Sequence, residues 1–591
     1  MDLKPVVLAL NASGLLTARR VANALGCPLH GREGRTDGCD ATFPDALAHA
    51  RDLFAAGHAV IGICASGILI RGVAPMLNDK RAESPVLSVS DDGGVVVPLL
   101  GGHRGANRLA RRIADALDGV AAVTTAGDVA LGIALDEPPP GYVLANPDDA
   151  KGVMAALLSG GGATQTGEPL FDLPFGDEVE ISVTDAPAEG GPARLVYHPR
   201  RFVLGMGCAR DAEPAAAWAL ASDVLRDADV AHGAVAAVAT LDLKLDEPAL
   251  QAVAAGLGCD LRAFTVAELA DIAVPNPSDV VLAEVGTPSV AEAAAVACSG
   301  GVLVAPKRKA ATVTAALARA ALPITTPGGR TRGHLSIVGI GPGQAAWRTP
   351  EASRMIADAD ELVGYSLYLD LLGPLAAGKP RANFPLGGEA DRCRHALERA
   401  GQGADVALVC SGDAGIYAMA ALVYELIAKG EVSDAARRVA IACAPGISAL
   451  QAAAARAGAP LGHDFCAISL SDLLTPRDDI VRRLRAAAEG DFVIAFYNPV
   501  SRRRRTLLTE ARDILLAHRP ADTPVVLASS LGRPEEEVRF RRLADLDVDE
   551  VDMLTVVVVG SSRTRLVRTG DGMRVFTPRG YARKMTGGDL A

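Results

Sequence analysis

The chain has 591 residues, 49% of them hydrophobic and 22% charged, and a formal net charge of −11. That length suggests about four domains at roughly 150 residues each, and the composition fills ordinary globular cores and excludes a disordered chain. The excess of acid argues against a general nucleic-acid binder, because phosphate contacts need a basic face.

The elements alternate from the start. Val6–Leu10, Ala59–Ile63, Pro85–Val89 and Ala121–Thr124 read as strands, with helical patterns at Leu15–Leu25 and Ala106–Leu117 among them. Short β-branched runs between Ala- and Arg-rich helices are the signature of parallel α/β units. The reading is a multidomain α/β protein. A first α/β unit spans 1–140, followed by a small irregular region over 141–200, where Gly, Pro and Thr accumulate. A second α/β unit opens at Phe202-Val-Leu-Gly-Met-Gly-Cys208 and fills 201–320; 321–333, rich in Pro and Gly, is a linker. The remainder is large enough for two more α/β domains, 334–452 and 453–591.

No apolar run reaches the ~18 residues of a membrane span, and the N-terminus reads as a first strand, not a signal peptide. Ten cysteines form no CxxC pair and none stands at metal spacing to a histidine. They read as thiols of a reducing cytoplasm, with no protein-bound metal.

Leu335-Ser-Ile-Val-Gly-Ile-Gly-Pro-Gly343 is a strand running into a Gly-rich turn. A dinucleotide loop needs a third glycine where Gln344 stands, and Pro342 removes a backbone donor. A nicotinamide oxidoreductase is therefore disfavoured. The next helix should begin only at Thr349-Pro-Glu, where Thr caps and Pro takes the first turn. Val406-Ala-Leu-Val-Cys-Ser-Gly-Asp413 is a buried strand ending in a loop, Ala414-Gly-Ile-Tyr417. Ser411 and Asp413 either cap the following helix or let backbone approach a ligand. Two more such loops follow, Ala444-Pro-Gly-Ile-Ser448 and Phe496-Tyr-Asn-Pro499, with Ile468-Ser-Leu-Ser-Asp-Leu-Leu-Thr-Pro476 between them. Four polar, Gly- and Pro-punctuated loops at strand ends imply a cleft.

In the first half, Gly67-Ile-Leu-Ile-Arg-Gly-Val-Ala-Pro75 follows a strand, and Leu100-Gly-Gly-His-Arg-Gly-Ala-Asn107 joins a strand to a helix. The glycines of the latter free backbone N–H groups to meet an anion at the helix start, and His103, Arg104 and Asn107 add donors. Ser289 and Glu292 stand at the spacing of a capping box, a reading that outranks a catalytic Glu292.

These motifs carry two resemblances. Gly-Ile-Gly-Pro-Gly, Ser-Gly-Asp-Ala-Gly-Ile-Tyr, Pro-Gly-Ile-Ser-Ala, Ser-Leu-Ser-Asp-Leu-Leu-Thr-Pro and Tyr-Asn-Pro, in this order over 334–591, resemble the S-adenosylmethionine-dependent (class III) tetrapyrrole methyltransferases of cobalamin synthesis. Phe384-Pro-Leu-Gly-Gly-Glu389 and Gly462-His-Asp-Phe-Cys-Ala-Ile-Ser-Leu-Ser-Asp472 resemble its precorrin-3B C-17 branch. The resemblance implies two α/β domains with S-adenosylmethionine in the trough between them, held by Gly341, Pro342, Gly343, Ser411, Gly412, Asp413, Ile416, Ser448, Ala449, Asn498 and, more weakly, Gly560. It implies a methyl transfer to a three-times-methylated tetrapyrrole, cobalt-loaded or metal-free, with ring contraction. Candidates for the proton transfers of contraction are Asp472, His463, Ser471 and Tyr417. Asp472 is equally a helix cap, and His463 an ordinary loop histidine. Among Arg502, Arg503, Arg504 and Arg505 most are solvated; one or two, Arg502 first, would clamp substrate carboxylates.

Over 1–320, with a poor middle, the Gly-His-x-Gly-Ala-Asn, Gly-x-Gly-Cys, Lys-x-Asp-Glu and Ser-Val-Ala-Glu-Ala-Ala segments resemble the cobalt-precorrin-5A hydrolase family. That implies opening of a ring-fused lactone with release of acetaldehyde, with His103 as acid/base and Arg71 or Lys244 as carboxylate anchors. The alternative is a non-catalytic half that binds the tetrapyrrole or hands on an intermediate. The resemblance also implies a cytoplasmic homodimer, with other corrin-pathway enzymes as partners.

Overall fold

The computed structural model describes residues 4–77, 83–501 and 504–580. Five α/β layers follow one another along the chain. The first sheet has seven strands in the spatial order Ala41–Phe43, Leu29–Arg32, Pro5–Ala9, Ala59–Ile63, Val86–Val89, Val95–Leu100 and Val120–Ala121. Its central strands are parallel (Val7 opposite Ile61) and buried along their length. Helix Leu15–Leu25 stops at Gly26 and helix Ala106–Leu117 at Asp118, each in the left-handed conformation that ends a helix. Strand order reverses between Pro5–Ala9 and Ala59–Ile63. Strand Val95–Leu100 runs antiparallel to Val86–Val89, so the Gly101–Asn107 loop lies at the opposite sheet edge from the loops after Ala9, Ile63 and Val89.

The middle segment is ordered, contrary to the irregular region expected from its Gly and Pro. Strands Tyr142–Leu144, Arg194–Pro199, Val179–Val183 and Ala163–Thr166 form a sheet. Helix Ala150–Leu158 closes a small core on it around Val153, Ile181, Leu195 and Tyr197. Tyr197 is fully buried, and its hydroxyl donates to the Leu135 carbonyl at 2.5 Å. The turn residues punctuate strands too short for periodicity to reveal.

The third sheet orders Asp260–Phe264, Val235–Leu241, Phe202–Cys208, Val313–Arg319 and Val302–Lys309. The segment after it is pinned: Arg262 donates to the carbonyls of Pro327, Gly328 and Gly329, and Arg330 to that of Gly401. The fourth sheet is wholly parallel, in the order Arg381–Phe384, Glu361–Tyr365, Asp405–Cys410, His334–Gly339 and Ala440–Ala444. The fifth is mixed, in the order Phe465–Ser469, Val493–Tyr497, Thr555–Val559, Pro524–Ser529 and Glu537–Arg542. A three-stranded ribbon of Gly458–Ala459, Gly572–Phe576 and Arg565–Thr569 lies beside it.

One core crosses between units far apart in sequence. Phe43, Leu53 and Phe54 of the first unit belong to the same buried cluster as Ile340, Ile356, Leu372 and Leu375 of the fourth. No helix among the described residues is long and apolar enough to cross a membrane.

Candidate functional site

The carboxyl ends of the parallel fourth sheet supply three loops. Strand His334–Gly339 leads into Ile340–Gly343, and strand Asp405–Cys410 into Ser411–Tyr417. The two loops bond directly: Gly341 N–H donates to Gly412 O at 3.1 Å, and Gly412 N–H returns to Gly341 O at 2.9 Å. Both glycines have positive φ, 75° and 71°, a geometry that a side chain would oppose. The helix after the first loop is Pro350–Asp358, with Thr349 Oγ1 accepting from Ala352 N–H at 3.1 Å, as the Thr-Pro-Glu signature predicts.

Asp413 caps no helix. The next helix is Met419–Lys429, with Ala418 at its N-cap and no side-chain cap bond. The carboxylate instead accepts from Gly415 N–H at 2.8 Å and Gly446 N–H at 2.9 Å, which ties the second loop to the third. Ser448, buried at the head of helix Ala449–Ala457, forms a capping box with Gln451.

The fifth sheet meets these loops through two tyrosines. The Tyr497 hydroxyl bonds Ser448 Oγ and accepts from Leu450 N–H at 3.0 Å. The Tyr417 hydroxyl donates to Ala467 O at 2.9 Å, and the two rings lie 5.2 Å apart. Burial pushes both phenols above their ordinary range, so both stay neutral donors at pH 7. Asn498 Nδ2 donates to Ser469 Oγ at 3.2 Å. Tyr417 and Asn498 adopt left-handed backbone, φ 51° and 47°. Such conformations cost about 1 kcal/mol or more and gather at ligand sites. A loop absent from the sequence expectations, Ser530–Arg533, closes against the first: a Cβ on Gly343 would lie 2.8 Å from Gly532 O. Tyr497 and Gly446 were also missed, though each stands inside a motif that was read.

Other expected residues fall elsewhere. Gly560 follows strand Thr555–Val559, which runs antiparallel to Val493–Tyr497 with Val559 opposite Ile494. Gly560 is thus at the far edge from Tyr497, where its carbonyl accepts from Arg519 Nη1 at 2.5 Å. Asp472 caps nothing: the nearest helix starts at Arg477, and Asp472 faces Arg504 Nε at 3.8 Å. His463 Nδ1 accepts from Asp464 N–H at 2.8 Å, a local loop contact. Ser471 N–H donates to Ser469 Oγ at 3.4 Å. Arg505 pairs with Asp549 at 2.6 Å; Arg502 and Arg503 lie outside the described residues.

The first-half candidates are dispersed. Gly101 and Gly105 are left-handed, and the turn Gly102–Arg104 leads into helix Ala106–Leu117. The His103 side chain is outside the description. Arg104 lies in that turn, and Asn107 is buried with Nδ2 donating to Thr125 Oγ1 at 2.7 Å. Arg71 lies in the last turn of helix Ser66–Val73, but its guanidinium folds back over Gly67 in the first turn, at the other sheet edge from His103. Lys244 belongs to the 201–320 unit, where its Nζ lies 3.3 Å from Glu247. Ser289 and Glu292 do not form a capping box. Val290 is the N-cap, without a side-chain bond. Glu292, wholly buried, accepts from Asn276 N–H, Asn276 Nδ2 and Lys307 N–H at 3.1, 2.8 and 2.9 Å, and so bolts an edge strand to a loop.

Together these loops present backbone groups, hydroxyls and one carboxylate. Exposed Ile416 adds an apolar surface. A wholly parallel sheet joined to a mixed one across such loops is the architecture of a two-domain (class III) methyltransferase. Residues 334–547 match the family model of the Tetrapyrrole (Corrin/Porphyrin) Methylases; 202–318 match Cobalamin synthesis G C-terminus and 48–128 Cobalamin synthesis G N-terminal. The precorrin-3B C(17)-methyltransferase of Sinorhizobium sp is 47% identical over 251 residues, 42% of this chain and 98% of that protein. The probable cobalt-factor III C(17)-methyltransferase of Salmonella typhimurium is 46% identical over 247 residues, 42% of this chain and 99% of that protein. The crystal structure of the methyltransferase CobJ is 41% identical, covering 42% of this chain and all (100%) of that one, with a TM-score of 0.39. The chain belongs to the tetrapyrrole methyltransferase family, whose cofactor is S-adenosylmethionine, and carries cobalamin-synthesis G domains fused ahead of it.

Proposed function

We propose that the C-terminal half methylates precorrin-3B, or its cobalt-loaded counterpart, at C-17 with contraction of the ring. The 98% span of the Sinorhizobium enzyme at 47% identity carries this reading. S-adenosylmethionine supplies an electrophilic methyl group. The tetrapyrrole carbon is already nucleophilic, so the protein's task is alignment. Gly341–Gly343, Ser411–Asp413, Ser448 and Ala449 hold the cofactor, with Ile416 and Asn498 at its margins. Tyr417, whose hydroxyl already spans the two domains, is the foremost of the candidates for proton movement during contraction. Asp472, His463 and Ser471 lie on second-domain loops and complete the set.

The N-terminal half, in this proposal, is a lactone hydrolase of the cobalt-precorrin-5A type, releasing acetaldehyde. The two cobalamin-synthesis G matches support it. Its groups lie on separate units, with His103, Arg104 and Asn107 on one loop and Lys244 on another. The reading carries with it the family's homodimer and corrin-pathway partners. A cytoplasmic setting is supported by ten cysteines, none of them paired.

The test is a product mass spectrum with labelled S-adenosylmethionine and the three-times-methylated tetrapyrrole, metal-free and cobalt-loaded. One labelled methyl on either form is expected; none on either, with cofactor bound, refutes the substrate. For the first half, His103→Ala should stop acetaldehyde release while tetrapyrrole binding persists. Loss of binding alone would instead favour the carrier reading.

Tyr497→Phe removes the hydroxyl that bonds Ser448 and Leu450. At about 1–2 kcal/mol for the lost bonds, affinity for S-adenosylmethionine should fall roughly 5- to 30-fold. Calorimetry checks this, and unchanged affinity would remove Tyr497 from the cofactor site.

A further inference from the structure

The first N-terminal unit is seated on the helix that follows the cofactor loop. Its strand Ala41–Phe43 and helix Ala46–Ala55 pack on helix Pro350–Asp358 and the turn Gly373–Ala376. Phe43, Leu53, Phe54, Ile356, Leu372 and Leu375 are all buried in the shared core.

Polar contacts fix both ends of that helix. At its C-terminus, Lys4 Nζ donates to Ala357 O at 3.1 Å and Asp358 O at 2.7 Å. Lys379 Nζ donates to Ala357 O at 2.8 Å and Ala359 O at 2.7 Å. Two ammonium groups thus meet the negative end of the helix dipole, and one of them comes from the N-terminal unit. At the N-terminus, Arg348 Nε donates to Ser353 Oγ at 2.9 Å. Burial lowers the Arg348 pKa while the Asp52 carboxylate, from helix Ala46–Ala55, works against that fall. Arg348 is covalently next to Trp347. The Trp347 carbonyl underlies Gly341, where a Cβ would come within 3.0 Å of it, and the indole stacks on Arg456 at 4.5 Å. A continuous run of contacts therefore connects helix Pro350–Asp358, through Ser353, Arg348 and Trp347, to the cofactor loop.

We propose that the first N-terminal unit is a working part of the methyl-transfer site: Lys4 and the apolar face of Phe43, Leu53 and Phe54 hold helix Pro350–Asp358 and, through Arg348 and Trp347, keep the Ile340–Gly343 loop in its cofactor-binding form. Lys4 is a positioning residue. The alignments with the Sinorhizobium and Salmonella enzymes cover 42% of this chain but 98% and 99% of those proteins, which leaves no length in them for this covering unit. The support belongs to the fusion. The proposal rests on the reading of that loop as the S-adenosylmethionine site.

The test uses the full chain. It has two tryptophans, so Trp218→Phe leaves Trp347 as the sole tryptophan, read by excitation selective for indole. In that background, Lys4→Met with Leu53→Ala removes the two carbonyl bonds and thins the shared core against helix Pro350–Asp358. The expected result is a Kd for S-adenosylmethionine raised about 10-fold, equal to roughly 1.4 kcal/mol. KM for the cofactor should rise with kcat little changed, and acrylamide should quench Trp347 more readily. Lys4→Arg with Leu53 intact, which keeps a cation at those carbonyls, should hold both readouts near the parent. Parental affinity and parental quenching in the double variant would overturn the proposal. If the double variant fails to fold, Lys4→Met alone is read the same way, with a smaller rise. A parent that binds no S-adenosylmethionine would refute the site reading, and the quenching comparison then decides the coupling alone.

Discussion

Asp413→Arg should abolish binding of S-adenosylmethionine while leaving the fold intact. The carboxylate does two things at once. One oxygen closes the turn at Gly415, and the other reaches Gly446 in the next loop. The junction has no slack: a Cβ on Gly446 would lie 2.2 Å from Gly412 O and 3.0 Å from Gly339 O. Hydrogen bonds to a charged acceptor are each worth about 1.5–3 kcal/mol. Losing both, and inserting a cation beside a site for a sulfonium cation, should raise Kd by at least about 100-fold. Asp413→Asn keeps one carbonyl oxygen as an acceptor and should lie between, near 10-fold on the same scale. Calorimetry on both variants, with far-UV circular dichroism as the folding control, decides it. Parental affinity in Asp413→Arg would sink the assignment of the Ser411–Tyr417 loop.

Where a residue's role was local, the sequence displayed it. Thr349-Pro-Glu announces a helix start because capping is settled within four residues. Helices Leu15–Leu25 and Ala106–Leu117 carry their own stop signals. Where the role depends on strand direction, the sequence is mute. Gly560 follows a strand of the same Val-rich composition as a parallel one, and only the antiparallel pairing with Val493–Tyr497 sends it away from the trough. Glu292 shows the reverse error. Its spacing to Ser289 satisfies a capping box, but a fully buried carboxylate bonds the donors that tertiary structure brings, here from Asn276 and Lys307. The loops that meet at Gly341, Gly412 and Ser448 were legible as motifs. Their joints, Tyr497 on Ser448 and Asp413 on Gly446, span tens of residues and were not. The seam between the first and fourth units joins apolar faces some 300 residues apart in the chain. Each face alone reads as an ordinary core stripe.

The N-terminal unit should unravel in mild acid before the rest of the chain. His30, His49 and His58 are all buried. His30 Nδ1 and His49 Nε2 lie 2.9 Å apart, and His58 Nδ1 faces the Lys4 carbonyl at 3.1 Å. Burial, with the other histidines or the Lys379 and Lys4 charges adding to it, lowers the three pKa values to about 4, 3 and 4. Asp40 near His30 opposes this weakly. In the unfolded chain each would titrate near the ordinary value of about 6.5. The unfolded state therefore binds more protons as soon as pH drops below that value, and stability falls with pH until the folded pKa values are reached. At pH 5 each histidine should cost about 2 kcal/mol relative to pH 7. The 2.9 Å contact also requires one bare ring nitrogen, so protonating both rings breaks it. Hydrogen exchange over residues 29–58 should accelerate between pH 6.5 and 4, corrected for intrinsic rates, while strand Asp405–Cys410 stays protected. His49→Phe, which keeps the stacking on Phe43 at 4.6 Å, should flatten that pH dependence. An identical slope in parent and variant would show that the cluster does not set the acid limit. Because this unit covers helix Pro350–Asp358, its opening should also weaken cofactor binding over the same interval, and the two curves should move together in His49→Phe.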